Sequence, residues 1–374
     1  MSLRVGVIGD GVAGLGVAWR LAQRGQRVTV FGTGGEASAS VAAAGMLAPH
    51  AEFAGPEDTL APVARMARGL WRGFAEEVER ASGGAIGFVE SGTFVVARGG
   101  ADMVALRARY RDAGDDVEWL DGDEARRREP ALERRIAGAA FLGGDAHVNN
   151  RRLVAQLAVA AERAGVIVRR AREGASVAVL RDAVTNIIFD GGRFPCDAIV
   201  VAAGAWSGAV AGLPAEVQVP VRPVKGQMLA VSHGARGLRH MVWGDGVYVV
   251  PRAGLPLAIG ATMEEAGFDT SIGEPRLQHL LEGARAVAPA AIGEAVVERW
   301  CGFRPGTPDD LPVLGAGALK GLYYATGQFR NGILLAPFVA DTVAAAVATG
   351  VAPDMLAPFS PLRFTKGSGS WTSP

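Results

Sequence analysis

Residues 5–32, VGVIGDGVAGLGVAWRLAQRGQRVTVFG, read as strand, tight turn, helix and second strand. Val5, Val7 and Ile8 run into Gly9, Gly11 and Gly14, whose G-x-G-x-x-G spacing opens a dinucleotide-binding βαβ unit. Each glycine answers a separate steric demand: Gly9 the sharp turn out of the strand, Gly11 the approach of backbone to a diphosphate, Gly14 the close seating of helix on sheet. The helix N-terminus then offers free N–H groups and a favourable dipole to the anion. Val12, Leu15, Val17, Ala18 and Leu21 supply the apolar helix face, Gly25 ends the helix, and Val28 to Phe31 form the second strand. The acid that ordinarily closes that strand and holds the ribose is replaced by Gly32. Glu36 follows a few residues on, either as a substitute or as a solvated loop carboxylate.

A chain of 374 residues suggests two domains. The 38 Lys and Arg residues balance 38 Asp and Glu, which argues against nucleic acid or an anionic membrane as the main partner. Cys196 and Cys301 lack CxxC spacing, so neither a disulfide framework nor a zinc site is expected, and a reducing cytoplasm fits. Met1 to Leu3 lead directly into the first strand, so no signal peptide is expected. Gly332 to Ala352, GILLAPFVADTVAAAVATGVA, is almost long enough to span a bilayer, but Pro337 and Asp341 interrupt it and its alanine content predicts a helix packed inside the protein.

The loop Gly32 to Glu52, GTGGEASASVAAAGMLAPHAE, has the composition of a linker. Its position after the second strand predicts instead that it crosses the cofactor, small residues permitting close approach to a flat ring. An amphipathic helix is expected from Pro56 to Ser82, with Met66 and the aromatics in the core, and a strand pair over Ile86 to Ala97 turning near Gly92. Asn150 is read as the cap of a helix from Arg151 to Ala164. Ile199 to Val201 is wholly apolar, as in a buried parallel strand, whereas strands near 219–231, 247–251, 257–261 and 296–304 suggest a second, antiparallel sheet. Leu322 to Thr326 and a helix from near Ile333 close the fold, before a disordered tail, Lys366 to Pro374. The expected division is interleaved: residues 1–52, 146–214 and 301–365 form the nucleotide-binding domain, 53–145 and 215–300 the substrate domain, and 366–374 the tail.

No G-x-S-x-G elbow, P-loop or H-E-x-x-H motif occurs, and the five histidines have no metal spacing. Arg304, in WCGFRPGTPDD, and Arg330, in GQFRNGILLAP, each sit in a turn of small or helix-breaking residues. The planar guanidinium fork matches a carboxylate, so the pair suits an acidic small substrate or, equally, a solvated surface. Tyr248, in GVYVVPR, either donates to the same carboxylate or is a half-buried sheet residue.

At these residues the chain resembles the D-amino-acid oxidase superfamily, most closely the glycine oxidases of thiamine biosynthesis. Besides the N-terminal fingerprint, the resemblance is carried by AAAGMLAPHAE (42–52), GAWSG at Gly204, PVKGQ at Pro223, YVVPR at Tyr248, GATM at Gly260, GFRPGT at Gly302 and FRNGILLAP at Phe329. It implies an α/β fold: a Rossmann-type FAD-binding domain with an interleaved antiparallel-sheet substrate domain. It also implies FAD, held non-covalently, as cofactor. The FAD contacts implied are Gly9, Gly11, Val12, Ala13, Gly14, Gly32, Thr33, Ser40, Ala44, Gly45, Met46, Gly174, Gly204, Trp206 and the segment Gln328, Phe329, Arg330, Asn331, Gly332, Ile333, Leu334. Tyr248, Arg304 and Arg330 would grip a substrate carboxylate, in a pocket walled by Met46 and Met263 and including Glu52. The implied reaction takes the α-hydrogen of glycine, sarcosine or a small D-amino acid as hydride to the flavin, giving an imine and then a 2-oxo acid, ammonia and, with oxygen as acceptor, hydrogen peroxide. No dedicated acid or base is required. A dehydrogenase of the same fold passing electrons to a carrier, and a flavin-binding protein without turnover, are the alternatives. A thiazole-forming enzyme is implied as a partner. Cys301 lies near the point where sarcosine oxidases attach flavin, but its GFRPGT context resembles the non-covalent subgroup, and it is read as buried and inert.

Overall fold

The computed structural model describes residues 2–53, 59–252 and 254–364; the expected tail and the expected helix start at Pro56 lie outside them. A six-stranded sheet runs in the order Val313–Ala316, Leu322–Thr326, Ala198–Val201, Arg4–Ile8, Arg27–Gly32, Ile167–Arg170. All its pairings are parallel except that of the first two strands. Both faces are covered, which is why these strands read as unbroken apolar runs. Val5, Val7 and Val200 pack with Leu15, Leu157 and Phe338 of the helices Val12–Gln23, Asn150–Arg163 and Ala336–Thr349. Ile8, Ile199 and Val201 face the other way, onto Ile187 and Phe189 of a three-stranded antiparallel sheet, Ser176–Leu180, Ala183–Phe189 and Gly192–Pro195. Each such aliphatic side chain contributes roughly 1.5–3 kcal/mol by leaving water. Arg4–Ile8 has Arg27–Gly32 on one side and Ala198–Val201 on the other, so the chain leaves it in opposite directions and a crevice opens at the strands' carboxyl ends.

The second sheet has eight strands: Ile292–Gly306, Arg222–His233, Leu255–Gly260, Val247–Arg252, Met241–Gly244, Thr93–Ala97, Gly138–Leu142 and Glu118–Asp121. It is mixed rather than purely antiparallel. Met241–Gly244 and Thr93–Ala97 pair in parallel because they come from distant stretches of chain that no hairpin joins. One face buries Leu277, Leu281 and Val287 of the helix Glu274–Val287; the other carries Met228, Val250 and Ala258 toward Ala44 and Met46. The strand Ile292–Gly306 stays paired with Arg222–His233 as far as Gly306, past the division expected after residue 300.

Four local expectations are corrected. The helix Ala61–Ser82 turns Ala61, Ala64, Ala67, Trp71, Phe74 and Val78 inward and leaves Met66 and Leu70 exposed, because its small residues form the stripe that packs closely. Only Thr93–Ala97 of the 86–97 stretch is a strand; Gly92, at φ +70°, bends the chain, and Val89 bridges singly to His147. The cap of the helix Asn150–Arg163 is Asn149, whose side chain accepts from Arg152 N at 3.0 Å. The last helix begins at Ala336, with Pro337 in its first turn, where a missing N–H is harmless. No single helix among the described residues is long and apolar enough to cross a membrane.

Candidate active site

The glycine turn sits at the mouth of the crevice. Gly9, at φ +118°, donates to Phe31 O at 2.8 Å, and a Cβ there would lie 2.2 Å from Ala202 O. A Cβ on Gly14 would lie 2.0 Å from Gly9 O, so Gly14 seats the helix on the turn. Gly11 is the N-cap and has no side chain with which to satisfy the helix N-terminus. Ser40 Oγ takes that part, accepting from Val12 N at 3.0 Å, while Val12 and Ala13 line the cavity beyond.

The small-residue loop is pinned. Asn150 Nδ2 donates to Ser40 O and Val41 O, both at 2.9 Å; this, not capping, is its role. The Trp300 indole donates to Ala42 O at 2.8 Å, and Phe303 N to Ala37 O at 3.0 Å. Val148 N donates to Gly45 O at 2.9 Å, and Gly45, at φ +83°, approaches so closely that a Cβ would lie 1.9 Å from Val148 O. Hydrogen bonds from the eight-stranded sheet on one side, and from Val148 and the helix Asn150–Arg163 on the other, thus hold a stretch whose composition alone reads as flexible.

At the other end, glycines make room for polar side chains from the second sheet. The Arg304 guanidinium lies over Gly226, where a Cβ would come within 2.5 Å of it, and the Tyr248 ring lies over Gly260, again at 2.5 Å. Arg304 donates to Thr262 O at 3.1 Å. Phe329 has φ +44°, a left-handed conformation, and donates to Pro305 O at 3.1 Å; such strained residues concentrate at functional sites. Its neighbour Arg330 faces Glu52, Nε to Oε2 3.8 Å. Burial pushes the Glu52 carboxyl up, only partly opposed by Arg330. Burial likewise raises the Tyr248 hydroxyl, against the pull of Arg304 and Arg330, so Tyr248 is a neutral donor at ordinary pH. Two guanidiniums facing one reluctant carboxyl leave a local excess of positive charge, suited to an incoming carboxylate.

One cavity of about 850 Å³ joins both ends. Of the expected residues, Gly9, Gly11, Val12, Ala13, Gly32, Thr33, Ser40, Ala44, Gly45, Met46, Glu52, Gly174, Gly204, Trp206, Tyr248, Met263, Arg304, Gln328, Phe329, Arg330, Gly332 and Ile333 line it. Gly14, Asn331 and Leu334 do not. Gly14 is consumed by helix packing; Asn331 closes a turn, its N donating to Gln328 O at 2.8 Å; Leu334 points into the core while its carbonyl accepts from the Trp71 indole at 2.8 Å. Met263 is 64% exposed and so forms a rim rather than an inner wall. Cys301 is buried beside Thr270 O and does not line the cavity. Asp10, Arg172 and Trp243 line it without having been singled out in the sequence, although Asp10 sits between two glycines of the fingerprint. The cavity fits a dinucleotide on its own chemistry: bare glycine backbone and a helix N-terminus face it at one end. In addition, Gln328, one of its lining residues, keeps its side-chain amide nitrogen buried without a partner among the described residues.

A family model described as FAD dependent oxidoreductase (DAO) matches residues 4–346. The chain is 36% identical to the glycine oxidase of Geobacillus kaustophilus over 96% of each protein. It is 34% identical to the bifunctional protein ThiO/ThiG of Synechocystis over 96% of this chain and 53% of that protein, so it spans about half of that relative. The crystal structure of the Geobacillus kaustophilus glycine oxidase superposes with a TM-score of 0.87 at 34% identity, covering 97% of this chain and 99% of the other.

Proposed function

The chain belongs to the DAO family of FAD dependent oxidoreductases, and on that premise we propose that it oxidises glycine, with sarcosine and small D-amino acids as secondary substrates. The observation that carries this reading is the convergence of Arg304, Arg330 and Tyr248 at one end of the cavity whose other end is the glycine turn. Bound FAD would supply the hydride acceptor and oxygen the terminal acceptor, so that glycine, oxygen and the water that hydrolyses the imine give the 2-oxo acid, ammonia and hydrogen peroxide.

The chain's own part is binding and orientation. Gly11, Val12 and Ala13 would hold the diphosphate, and Gly45 with Met46 would lie against the ring. Arg304 and Arg330 fix the substrate carboxylate, Tyr248 donates a further hydrogen bond, and this grip turns the α carbon toward the ring side of the cavity. Positioning of this kind can supply several orders of magnitude in rate without a dedicated base. Met46 and the aromatic Trp243 limit the side chain that fits, which favours glycine. The fused ThiO/ThiG relative supports handing the imine or its hydrolysis product to a thiazole-forming partner. Cys301 lies off the cavity lining, in keeping with non-covalent FAD.

The test is to supply glycine, sarcosine, D-alanine and D-proline in air and to measure oxygen uptake and peroxide together. Glycine should give the highest kcat/KM, with one peroxide per oxygen consumed. Turnover with an artificial electron acceptor but none with oxygen would replace the oxidase by a dehydrogenase.

A further inference from the structure

The fingerprint ordinarily sets an acid at the end of the second strand to receive ribose hydroxyls. Here that position is Gly32, and the space beside it is filled from elsewhere. A Cβ on Gly32 would lie 2.2 Å from Asp10 Cγ and 2.4 Å from Asp10 Oδ1, so the Asp10 carboxylate occupies the volume an acid at 32 would enter. It is held in place: Arg170 Nε donates to Oδ2 at 2.8 Å, and Gly34 N reaches Oδ1 at 3.4 Å. Arg170 is itself set by strand register, paired with Gly32 across the parallel sheet. The Asp10 side chain is only 13% exposed, and it lines the cavity beside Gly32 and Thr33. An ionised carboxylate offers about four acceptor sites, so these two contacts leave capacity for two neighbouring hydroxyls. Glu36 also lines the cavity, but it is exposed.

We propose that Asp10 receives the adenosine ribose hydroxyls of FAD, delivering from the first glycine turn the carboxylate that the second strand lacks, with Arg170 as the residue that orients it. The inference rests on the FAD reading above. It is tested by titrating apoprotein with FAD and following flavin fluorescence, with thermal melting of each apoprotein as the check on folding. Asp10→Ala should raise the FAD dissociation constant roughly ten- to hundredfold, the range for a hydrogen bond to a charged group. Gly32→Glu alone should also weaken binding, because it forces a second carboxylate onto Asp10. Combined as Asp10→Gly with Gly32→Glu, the relocated acid should restore most of the wild-type affinity. Unchanged affinity in Asp10→Ala, a double variant no better than Asp10→Gly alone, or a larger loss from Glu36→Ala than from Asp10→Ala would each overturn the assignment. Wild-type apoprotein that fails to bind FAD would overturn the cofactor reading along with it, a result distinct from the loss of Asp10's role alone.

Discussion

Arg304 lies flat over Gly226 with its charge turned into the cavity, so neither residue can change without the other feeling it. Arg304→Ala should leave FAD binding and the flavin spectrum intact and lower kcat/KM for glycine about a hundredfold or more, as for loss of one member of a buried charge pair. Steady-state kinetics on the holoenzyme check this. Gly260→Ala should act on the same end by a different route: its methyl would collide with the Tyr248 hydroxyl, displacing the donor. A rise in KM for glycine of about tenfold is expected, roughly the worth of one hydrogen bond; an unchanged KM would mean that Tyr248 does not touch the substrate. Arg304 and Arg330 were legible because each is a planar cation in a turn of breaking residues. Asp10 was not, because the fingerprint directs attention to the end of the second strand, and only the three-dimensional overlap with Gly32 shows the acid's position.

The two-stranded ribbon of Met46–Leu47 and Ala146–His147 carries a pH dependence. Burial lowers His147 from 6.5 to about 4, and its Nδ1 pairs with Ser91 Oγ at 3.1 Å. Between those two pH values the unfolded chain holds a proton there that the folded protein does not, so stability rises with pH across that window. It is complete above the unfolded value and lost as pH falls through the folded one, by roughly 3 kcal/mol in all. Denaturant melts of apoprotein against pH should show this slope, and His147→Gln should flatten it. Asn150→Ala should destabilise the apoprotein by about 2 kcal/mol and weaken FAD binding, because two loop carbonyls lose their common donor. The same melts and an FAD titration measure both effects. The central strands were legible as elements because burial on both faces writes an unbroken apolar run. The inward stripe of the helix Ala61–Ser82 was not, because alanine carries little periodic signal beside the exposed Met66 and Leu70.

Across the whole molecule, the nucleotide end is built on the parallel sheet and the polar end on the mixed sheet, and the loop 32–52, which lines the cavity between them, is tied to the mixed sheet by Trp300 and to the helix Asn150–Arg163 by Asn150. That tie could not be read from small residues in sequence, since its hydrogen bonds are made by backbone carbonyls. On the proposed function, this one cavity presents a small amino acid to bound flavin. The most direct test is to mix FAD-loaded protein anaerobically with glycine and follow the visible flavin band. Rapid bleaching that saturates with glycine, and slows in Arg304→Ala, is the predicted result. A flavin band that glycine, sarcosine, D-alanine and D-proline all leave unchanged, with FAD demonstrably bound, would contradict it.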